Sequence, residues 1–442
     1  MIDNQDLNKT HIESLSHDGR GIAHINGKIV FLENALPSEE VTFVYVRRHS
    51  KFDEAKVVEI LQPSPDRVTP ECPHFNICGG CSLQHLNHIK QISFKTLAFQ
   101  EQMKHFGNLD TINILSPITG PIWNYRSRAR LSVKYVQKKQ KVLVGFHEKN
   151  GRYVAEITQC PILHETVSKK ILDIGNLVSQ FSIYNQIPQI EIACGNSVTA
   201  LLFRHLQKFS DKDLELLQKF GAEHDFQIYL QAGGMETIQP TAISLSYKLA
   251  KQNIEMLFAP TDFTQINQEI NQQMVTHVLE LLDAQLDEKV LDLFCGIGNF
   301  TLPLATKCNQ IIGVEGSKYA IARAKQNAEH NNIKNAEFYC SDLTKELSTQ
   351  PWAKQQYDKI LLDPPRTGAI EACTQIKKFG AKKIVYVSCN HATLARDTKE
   401  LTNNGYKLQS VRIVDMFPHT GHVETIATFL HQDCRLSPCL NR

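Results

Sequence analysis

A glycine-rich turn that follows a buried strand is the feature that most constrains the fold of this chain. Residues 289–299 read KVLDLFCGIGN, an apolar run leading into two glycines, where the backbone can approach a ligand closely. Further apolar runs at 359–362 and 383–387 alternate with helical patterns such as that of 391–403. Strands that alternate with helices are typical of a mostly parallel sheet. We therefore predict a doubly wound α/β domain that begins near Thr261.

The residues around this turn favour S-adenosylmethionine over a dinucleotide as the ligand. Thr301 stands where a dinucleotide-binding fingerprint has its third glycine. Glu315 follows the apolar run IIGV at the end of the next strand, where its carboxylate can accept both ribose hydroxyls. Asp342 ends the third predicted strand and is placed for the adenine amino group. An isolated aspartate at such a position also fits a helix cap.

Three polar side chains lie at the ends of the later predicted strands. Asp363 begins the turn DPPR, whose two prolines stiffen the strand exit and aim the side chain at a planar ring or at the amino-acid end of the cofactor. Cys389 follows the next strand, at the edge where such sheets bind ligands. Glu424 precedes the last apolar run. The alternatives are a buried structural thiol for Cys389 and a surface position for Glu424.

These residue types fit the transfer of a methyl group to C5 of a uracil ring. Carbon C5 becomes nucleophilic when a thiolate adds to C6, which makes Cys389 the candidate nucleophile. The C5 proton must then leave, and a carboxylate is a suitable acceptor, which makes Glu424 the candidate base. His419 and His422 are competing bases, but neither stands at the mouth of a strand.

The chain contains 12 cysteines and no signal-peptide pattern at its start, which favours metal binding or catalysis over disulfides. Cys72, Cys78 and Cys81 lie close together in CPHFNICGGC, and Cys160 repeats the Cys-Pro pairing of Cys72. Four thiolates suit a [4Fe-4S] cluster, with zinc as the alternative. We expect a cluster that is fully ligated by protein to be structural or to contact RNA, without a redox role.

The first sixty residues predict a small β-barrel. Residues 11–61 contain short β-type runs separated by turns, among them Asn26-Gly27, which is a strong hairpin signal. Such a segment fits an OB-like barrel, a fold that commonly binds oligonucleotides. The alternative is a barrel that only supports its neighbour.

A basic stretch lies between the third and fourth cysteines of the predicted cluster. Residues 126–152 hold nine Lys or Arg against one Glu. On a strand, alternate residues share one face, where they form a ladder for phosphates. Tyr125 and Tyr135 could stack on unpaired bases. A solvated basic face is the alternative for the ladder residues, which are Arg126, Arg128, Arg130 and Lys134.

Composition adds limits of its own. A chain of 442 residues predicts several domains, and a net charge of +2 is too small to indicate a nucleic-acid partner by its overall field. No apolar window is long enough to cross a membrane. We therefore expect a cytoplasmic protein without a membrane partner.

Taken together, the motifs resemble the RNA uracil-5-methyltransferase family, and within it the branch that acts on 23S ribosomal RNA. The most specific signals are the C-x5-C-x2-C run, the DPPR turn and the segment SCN around Cys389, and the resemblance covers nearly the whole chain. It implies a TRAM-type OB-like barrel over residues 5–65 and a small α+β iron-sulfur domain that contacts RNA over residues 66–260. It also implies a Rossmann-like methyltransferase domain dependent on S-adenosylmethionine over residues 261–442.

The resemblance also implies individual roles. Cys389 is the nucleophile and Glu424 the base, and the cluster ligands are Cys72, Cys78, Cys81 and Cys160. Phe263 and Gln265 would lie near the target base, and the role of Gln265 rests on the resemblance alone. The positions implied for S-adenosylmethionine are Gln265, Phe294, Asn299, Glu315, Asp342 and Asp363.

The implied partner is 23S ribosomal RNA, free or in early assembly, bound by a monomer that has no DNA substrate. Two alternatives act on RNA as well: a variant that methylates two 23S sites, and an enzyme that methylates transfer RNA. A third is a non-catalytic RNA-folding factor with a vestigial methyltransferase domain, which would bind RNA tightly without turnover.

Overall fold

The structure is a computed structural model that describes residues 7–107, 109, 111–149, 151–238 and 243–433. The outer ends of the first and third predicted domains, residues 5–6 and 434–442, lie outside the described residues. None of the described helices combines the length and the apolar character that a membrane crossing requires.

The first sheet is a curled six-stranded sheet. Its strands are β1 (Asn8–His11), β2 (Ser14–Leu15), β3 (Gly21–Ile25), β4 (Lys28–Glu33), β5 (Glu40–Arg48) and β6 (Phe52–Gln62), in the order β1-β5-β6-β4-β3-β2. The two edge strands are separated only by Ile12 and Glu13, so one segment of chain pairs with β5 at one end and with β3 at the other. The predicted hairpin at Asn26-Gly27 is confirmed, with both residues at positive φ between β3 and β4.

The second sheet is mostly antiparallel and carries short helices. It follows α1 (His88–Gly107) and β7 (Ile114–Ile118) in the chain. Its elements are β8 (Arg128–Val136), β9 (Lys141–Gly145), α2 (Glu165–Ser168), α3 (Ile171–Ser179), β10 (Gln189–Cys194), β11 (Thr199–Arg204), α4 (Asp211–Glu223), β12 (Phe226–Gln231) and β13 (Met235–Thr237). The strand order is β13-β12-β11-β10-β8-β9, and a separate hairpin, β14 (Leu245–Leu249) and β15 (Ile254–Phe258), follows.

The third sheet confirms the predicted doubly wound α/β architecture. Its elements are α5 (Gln268–Leu282), β16 (Lys289–Leu293), α6 (Thr301–Ala305), β17 (Gln310–Glu315), α7 (Lys318–His330), β18 (Ala336–Cys340), β19 (Lys359–Leu362), α8 (Ile370–Gln375), β20 (Lys383–Ser388), α9 (His391–Asn403), β21 (Tyr406–Val414) and β22 (Glu424–His431). The strand order is β18-β17-β16-β19-β20-β22-β21-β7, and the first five strands are parallel.

Two features of this sheet position the site. The chain moves outward from β16 in one direction through β17 and β18 and in the other through β19 and β20, so the order of strands reverses beside β16. Ligands of open α/β sheets bind at the carboxyl ends of the strands at such a point. In addition, β22 runs antiparallel between β20 and β21, which brings its first residue to that same edge.

Strand β7 links the second predicted domain to the third sheet. It precedes residue 261 by more than a hundred positions, yet it pairs in parallel with β21 at the sheet edge. Helix α1 likewise packs against α9. The division at residues 65 and 260 stays a prediction, and hydrogen bonding in the third sheet crosses the second of these boundaries.

Candidate functional site

The turn after β16 is bent by three residues in left-handed conformations. Phe294, Gly296 and Gly298 have φ values of 67°, 55° and 95°. The left-handed region is unfavourable for a residue with a side chain such as Phe294, and such strain concentrates at ligand clamps. Apart from Gly296 itself and its two chain neighbours, no described residue has an atom within 4 Å of the position that a Cβ of Gly296 would take, so the turn leaves open space beside it.

Two acids proposed for the cofactor differ in their surroundings. The Glu315 carboxylate accepts hydrogen bonds from the backbone N–H of Gly296 at 3.3 Å and of Ser317 at 2.9 Å, so it is fixed beside the glycine turn. The exposed Asp342 carboxylate accepts hydrogen bonds from the Thr344 hydroxyl at 2.6 Å and backbone N–H at 3.1 Å. These bonds, with Lys345, lower the pKa of Asp342 to about 2. Its adenine contact stays a prediction.

Asn299 belongs to a polar network under the same turn. Its Oδ1 accepts hydrogen bonds from the Tyr247 hydroxyl at 2.8 Å and from Asn271 Nδ2 at 2.9 Å, and its Nδ2 donates to Asn271 Oδ1 at 2.9 Å. One N–H of the Asn299 amide remains for a further acceptor. The network connects α5, the β14–β15 hairpin and the glycine turn, so it sets the orientation of this amide.

The segment entering α5 is held by the second sheet. Both the backbone N–H and the hydroxyl of Ser127 donate to the Ile266 carbonyl, at 2.8 and 2.9 Å. Gln265, beside this anchor, is half-buried, and Phe263 is 75% exposed. An exposed phenylalanine on an anchored segment is available for stacking on a planar ring.

The structure brings Cys389 and Glu424 together at the edge of the third sheet. The last pair of the antiparallel β20–β22 ladder is Ser388 with Thr425. Cys389 follows Ser388 and Glu424 precedes Thr425, so the two residues stand across from each other one position beyond that pair. Cys389 is half-buried, and Glu424 is buried at 6% exposure.

Burial is the main cause of raised pKa values in both side chains. It raises the pKa of Glu424 to about 7, and the Arg366 guanidinium opposes this shift. The pKa of Cys389 is raised to about 11, first by burial and then by the negative charges of Glu424 and Asp363, again opposed by Arg366. A carboxylate with a pKa near 7 suits a general base at neutral pH.

Asp292 is a fifth acid near this edge, and its sequence context did not predict a role for it. It is fully buried in β16, and burial raises its pKa to about 7. Its Oδ2 accepts a hydrogen bond from the Thr301 hydroxyl at 2.6 Å, while Oδ1 has no partner among the described residues. An aspartate inside the apolar run VLDL was the signal for it. Burial also raises the pKa of Asp363, with added repulsion from Glu424, Asp292 and Glu315.

The DPPR turn is tied to the start of α9. Asn390 caps this helix by accepting a hydrogen bond from the Ala392 N–H at 3.1 Å, and its Nδ2 donates to the Arg366 carbonyl at 3.0 Å. The buried Asp397 accepts a hydrogen bond from the Ala369 N–H at 2.6 Å. The turn after β19 and the loop carrying Cys389 are therefore held as one unit.

The competing bases lie in less suitable places. His419 is buried at 3% exposure, and burial lowers its pKa to about 4. Its ring stacks on Trp123 with centroids 4.0 Å apart. His422 is exposed, and its ring packs edge-on against Phe417.

The four predicted cluster cysteines line one small cavity whose remaining walls are mainly apolar. Burial raises the pKa of all four thiols, to about 12 for Cys81 and Cys160, and neighbouring cysteines raise the pKa of Cys78, Cys81 and Cys160 further. Among the described residues, no three His, Cys, Asp or Glu side chains converge tightly enough for a single metal ion. Four thiolates are the ligand set of a [4Fe-4S] cluster, which takes one per iron, and also of a structural zinc ion.

The basic stretch is only partly available for RNA. The predicted alternation in β8 is confirmed, with Ala129, Leu131 and Val133 buried and Arg130 and Lys134 exposed. The phosphate role of Arg128 is wrong, because its guanidinium donates to the carbonyls of Asp262 and Pro260. The stacking role of Tyr125 is also wrong, because that ring is buried and its hydroxyl donates to the Pro418 carbonyl at 3.0 Å.

The raised pKa of Glu424 predicts a pH-dependent stability difference. A carboxyl group whose folded pKa exceeds its unfolded value holds its proton more tightly in the folded protein. Raising the pH from about 4.5 to about 7 therefore removes stability from the wild type, on the order of a few kcal/mol. Glu424→Gln has no such group, so its free energy of unfolding relative to wild type should rise across this window and level off above it. Urea unfolding of both proteins at several pH values measures the difference, and a constant difference would contradict the raised pKa.

Comparison with known proteins gives consistent matches. The family described as tRNA (Uracil-5-)-methyltransferase matches residues 88–432. A protein from Nitrosococcus oceani named 23S rRNA (uracil(1939)-C(5))-methyltransferase RlmD is 50% identical over 431 residues, which is 96% of each chain. A protein of the same name from Alcanivorax borkumensis is 48% identical over 95% of each chain.

The fold also matches a solved structure. The crystal structure of Pyrococcus abyssi tRNA (uracil-54, C5)-methyltransferase in complex with S-adenosyl-L-homocysteine covers 96% of this chain and 100% of its own, with a TM-score of 0.74. At 23% identity, this likeness establishes a shared fold.

Proposed function

The chain belongs to the tRNA (Uracil-5-)-methyltransferase family, and we propose that it methylates C5 of one uridine in 23S ribosomal RNA, with S-adenosylmethionine as the methyl donor. The proposed uridine corresponds to the uracil that is numbered 1939 in the names of these relatives. The observation that carries the proposal is the placement of Cys389 across from Glu424 at the edge of a methyltransferase sheet.

Each of the two residues has one task in the proposed reaction. The Cys389 thiolate adds to C6 of the uracil, so that C5 becomes nucleophilic. Bound S-adenosylmethionine supplies the methyl group that C5 takes up. Glu424 then removes the C5 proton, and the thiolate leaves C6 as the C5–C6 double bond re-forms.

The acids of the site support a cationic cofactor. Asp292 and Asp363 have raised pKa values because burial and neighbouring carboxylates disfavour their charged forms. A bound sulfonium would offset that repulsion. We propose that Glu315 holds the ribose, that Asp342 meets the adenine, and that the remaining contacts come from Gln265, Phe294, Asn299 and Asp363.

We also propose that the thiolates of Cys72, Cys78, Cys81 and Cys160 hold a [4Fe-4S] cluster. The shared cavity supports it, as does the effect of the other three cysteines on the pKa of Cys81. A cluster bears positive charge on its irons, which would favour the thiolate forms that burial otherwise disfavours.

The cluster proposal predicts a spectroscopic loss on substitution. Cys78→Ser should remove the broad visible absorbance of the purified protein and most of its iron, because one thiolate ligand is lost. Cys194→Ser is the control, since Cys194 is a buried free thiol at the end of β10 and does not line the cavity. It should keep both signals. A wild type that contains zinc and no iron would contradict the proposal.

The curled first sheet is proposed as a TRAM-type OB-like barrel that contacts RNA. A cation stacked on an aromatic ring supports this role: the Arg48 guanidinium lies 4.1 Å from the Tyr45 ring centroid. In such a pair the guanidinium can bind a phosphate while the aromatic ring is available to stack on a base. With this barrel, we propose the three-domain division at residues 65 and 260.

The test of the proposed function is the position of the methyl group. Wild-type protein, S-adenosylmethionine and transcripts of 23S RNA or transfer RNA are incubated together, and the digested RNA is examined by mass spectrometry. We expect 5-methyluridine at one position of the 23S transcript. Methylation only of transfer RNA, or on ribose, would contradict the proposal, and two 23S positions would establish the dual-site alternative.

A further inference from the structure

Helix α1 holds the loop that leads into Glu424. This loop, residues 415–423, joins the paired ends of β21 and β22, where Val414 pairs with Glu424. Three residues of α1 contact it: His88, Gln91 and Lys95. Their spacing of three and four residues places them on one face of the helix.

The central contact is an ion pair that is fully removed from solvent. Lys95 Nζ donates to Asp415 Oδ1 at 2.6 Å and to the Phe417 carbonyl at 2.9 Å, and both charged side chains are 0% exposed. The second oxygen of Asp415 lies 2.9 Å from His88 Nε2. The Asp415 N–H donates to the Ile118 carbonyl at the end of β7. The start of the loop is thus fixed by both side-chain and backbone contacts.

The same loop is also fixed at His419. Gln91 Oε1 accepts a hydrogen bond from the His419 N–H at 2.9 Å. The His419 carbonyl accepts two further bonds, from the N–H groups of Ser82 and Leu83, each at 2.9 Å. His419 has a φ of 65°, a conformation that costs energy for a residue with a side chain and persists where neighbours enforce it.

Glu424 depends on this support. Its buried carboxylate accepts no hydrogen bond from any described residue, so no side-chain partner sets its direction. The position of the carboxylate therefore follows its backbone, which β22 fixes on one side and the loop on the other. A shift of the loop would move the carboxylate relative to Cys389.

We propose that the Lys95–Asp415 ion pair positions Glu424 for removal of the C5 proton, and that Lys95 and Asp415 are positioning residues for product release. The inference rests on the proposed function, in which Glu424 is the base. In the release step the C5 proton passes to the Glu424 carboxylate, and the C5–H electron pair forms the C5–C6 double bond. The C6–S bond then breaks, and its electrons return to Cys389 as thiolate. Addition and methyl transfer precede this step and do not need the base.

Because the ion pair is buried, its effect on the stability of the fold can be separated experimentally from its effect on the position of Glu424. Removing one partner leaves an uncompensated charge and is strongly destabilising, whereas replacing both by apolar residues of similar volume is often neutral or stabilising. The double variant Lys95→Met/Asp415→Leu should therefore fold stably. It nevertheless lacks the bonds to the Phe417 carbonyl and to His88, so the loop loses its anchor.

The experiment measures methyl transfer and release separately. Each protein is mixed in a single turnover with 23S transcript and S-adenosylmethionine labelled in its methyl group. Labelled RNA is then divided into free product and RNA that stays bound to protein in SDS. For the double variant we expect methyl uptake within about threefold of wild type and release at least about tenfold slower, so methylated adduct accumulates.

The control is Lys359→Met. It removes a largely buried ion pair in which Lys359 Nζ lies 2.7 Å from a carboxylate oxygen of Glu288. Lys359 begins β19, so this pair lies at the amino ends of the strands, opposite the site. The variant should lower stability without accumulating adduct. Release at the wild-type rate in the double variant would overturn the inference, as would a parallel loss of uptake and release. Formation of free 5-methyluridine by the wild type tests the proposed function independently in the same assay.

Discussion

Cys389→Ala is expected to abolish methylation of the RNA, with a rate loss of at least about 10³-fold. Without the thiolate, nothing adds to C6, and C5 of uracil is too weak a nucleophile to accept the methyl group. The fold should persist, because the side chain is half-buried at the end of a strand and only one sulfur atom is removed. Methyl uptake from labelled S-adenosylmethionine measures the loss, and thermal unfolding checks the fold.

Cys340→Ala provides the matched control for this experiment. Cys340 also ends a strand of the same sheet, β18, but it is exposed and lies away from Glu424. Its loss should leave methylation unchanged. If Cys389→Ala retained turnover, the thiol would not be the nucleophile, and the chemistry would have to proceed without covalent addition.

Glu424→Gln is expected to stop the reaction after methyl transfer. The amide has nearly the same shape but cannot take up the C5 proton, so release should slow by about 10²- to 10⁴-fold. The methylated RNA would remain bonded to Cys389 and would migrate with the protein in SDS. Labelled methyl groups in that band measure the effect.

The histidines of the preceding loop provide the comparison. His422→Ala should release product as the wild type does, because His422 is exposed and has an aromatic neighbour in Phe417. If Glu424→Gln released product normally and His422→Ala accumulated adduct, the base would be His422. The pKa of Glu424, about 7, further predicts that release by the wild type accelerates as the pH rises toward that value.

The parallel sheet could be predicted because its strands are buried on both faces. The central strands read as short continuous apolar runs, and their carboxyl ends meet at one edge. The sequence pattern alone therefore predicts that Glu315, Asp363 and Cys389 lie near one another. The insertion of β22 between β20 and β21 could not be read from the runs, because pairing partners are set by tertiary packing. Only that insertion places Glu424 across from Cys389.

Other parts of the site depend on partners that are distant in sequence. Lys95 reads as a solvated helix residue, and it is buried because Asp415 meets it from 320 positions away. The alternating pattern around Arg128 predicts which face of the strand its side chain lies on. Only the structure shows that its guanidinium donates to two backbone carbonyls. Asp292 lies within an apolar strand, and the sequence does not show its contacts. In the structure, Asp292 accepts a hydrogen bond from Thr301, and the charge of Glu315 helps to raise its pKa.

The most direct test of covalent C5 methylation is tritium release from 23S transcript labelled at uracil C5. The wild type with S-adenosylmethionine should release tritium in proportion to the methyl groups it adds, because each transfer replaces one C5 hydrogen. Cys389→Ala should release no tritium. Without S-adenosylmethionine, the wild type should lose the tritium release that accompanies methyl transfer. Methyl groups that enter the RNA while all tritium stays on C5 would contradict the account, since the methyl acceptor would then be another atom.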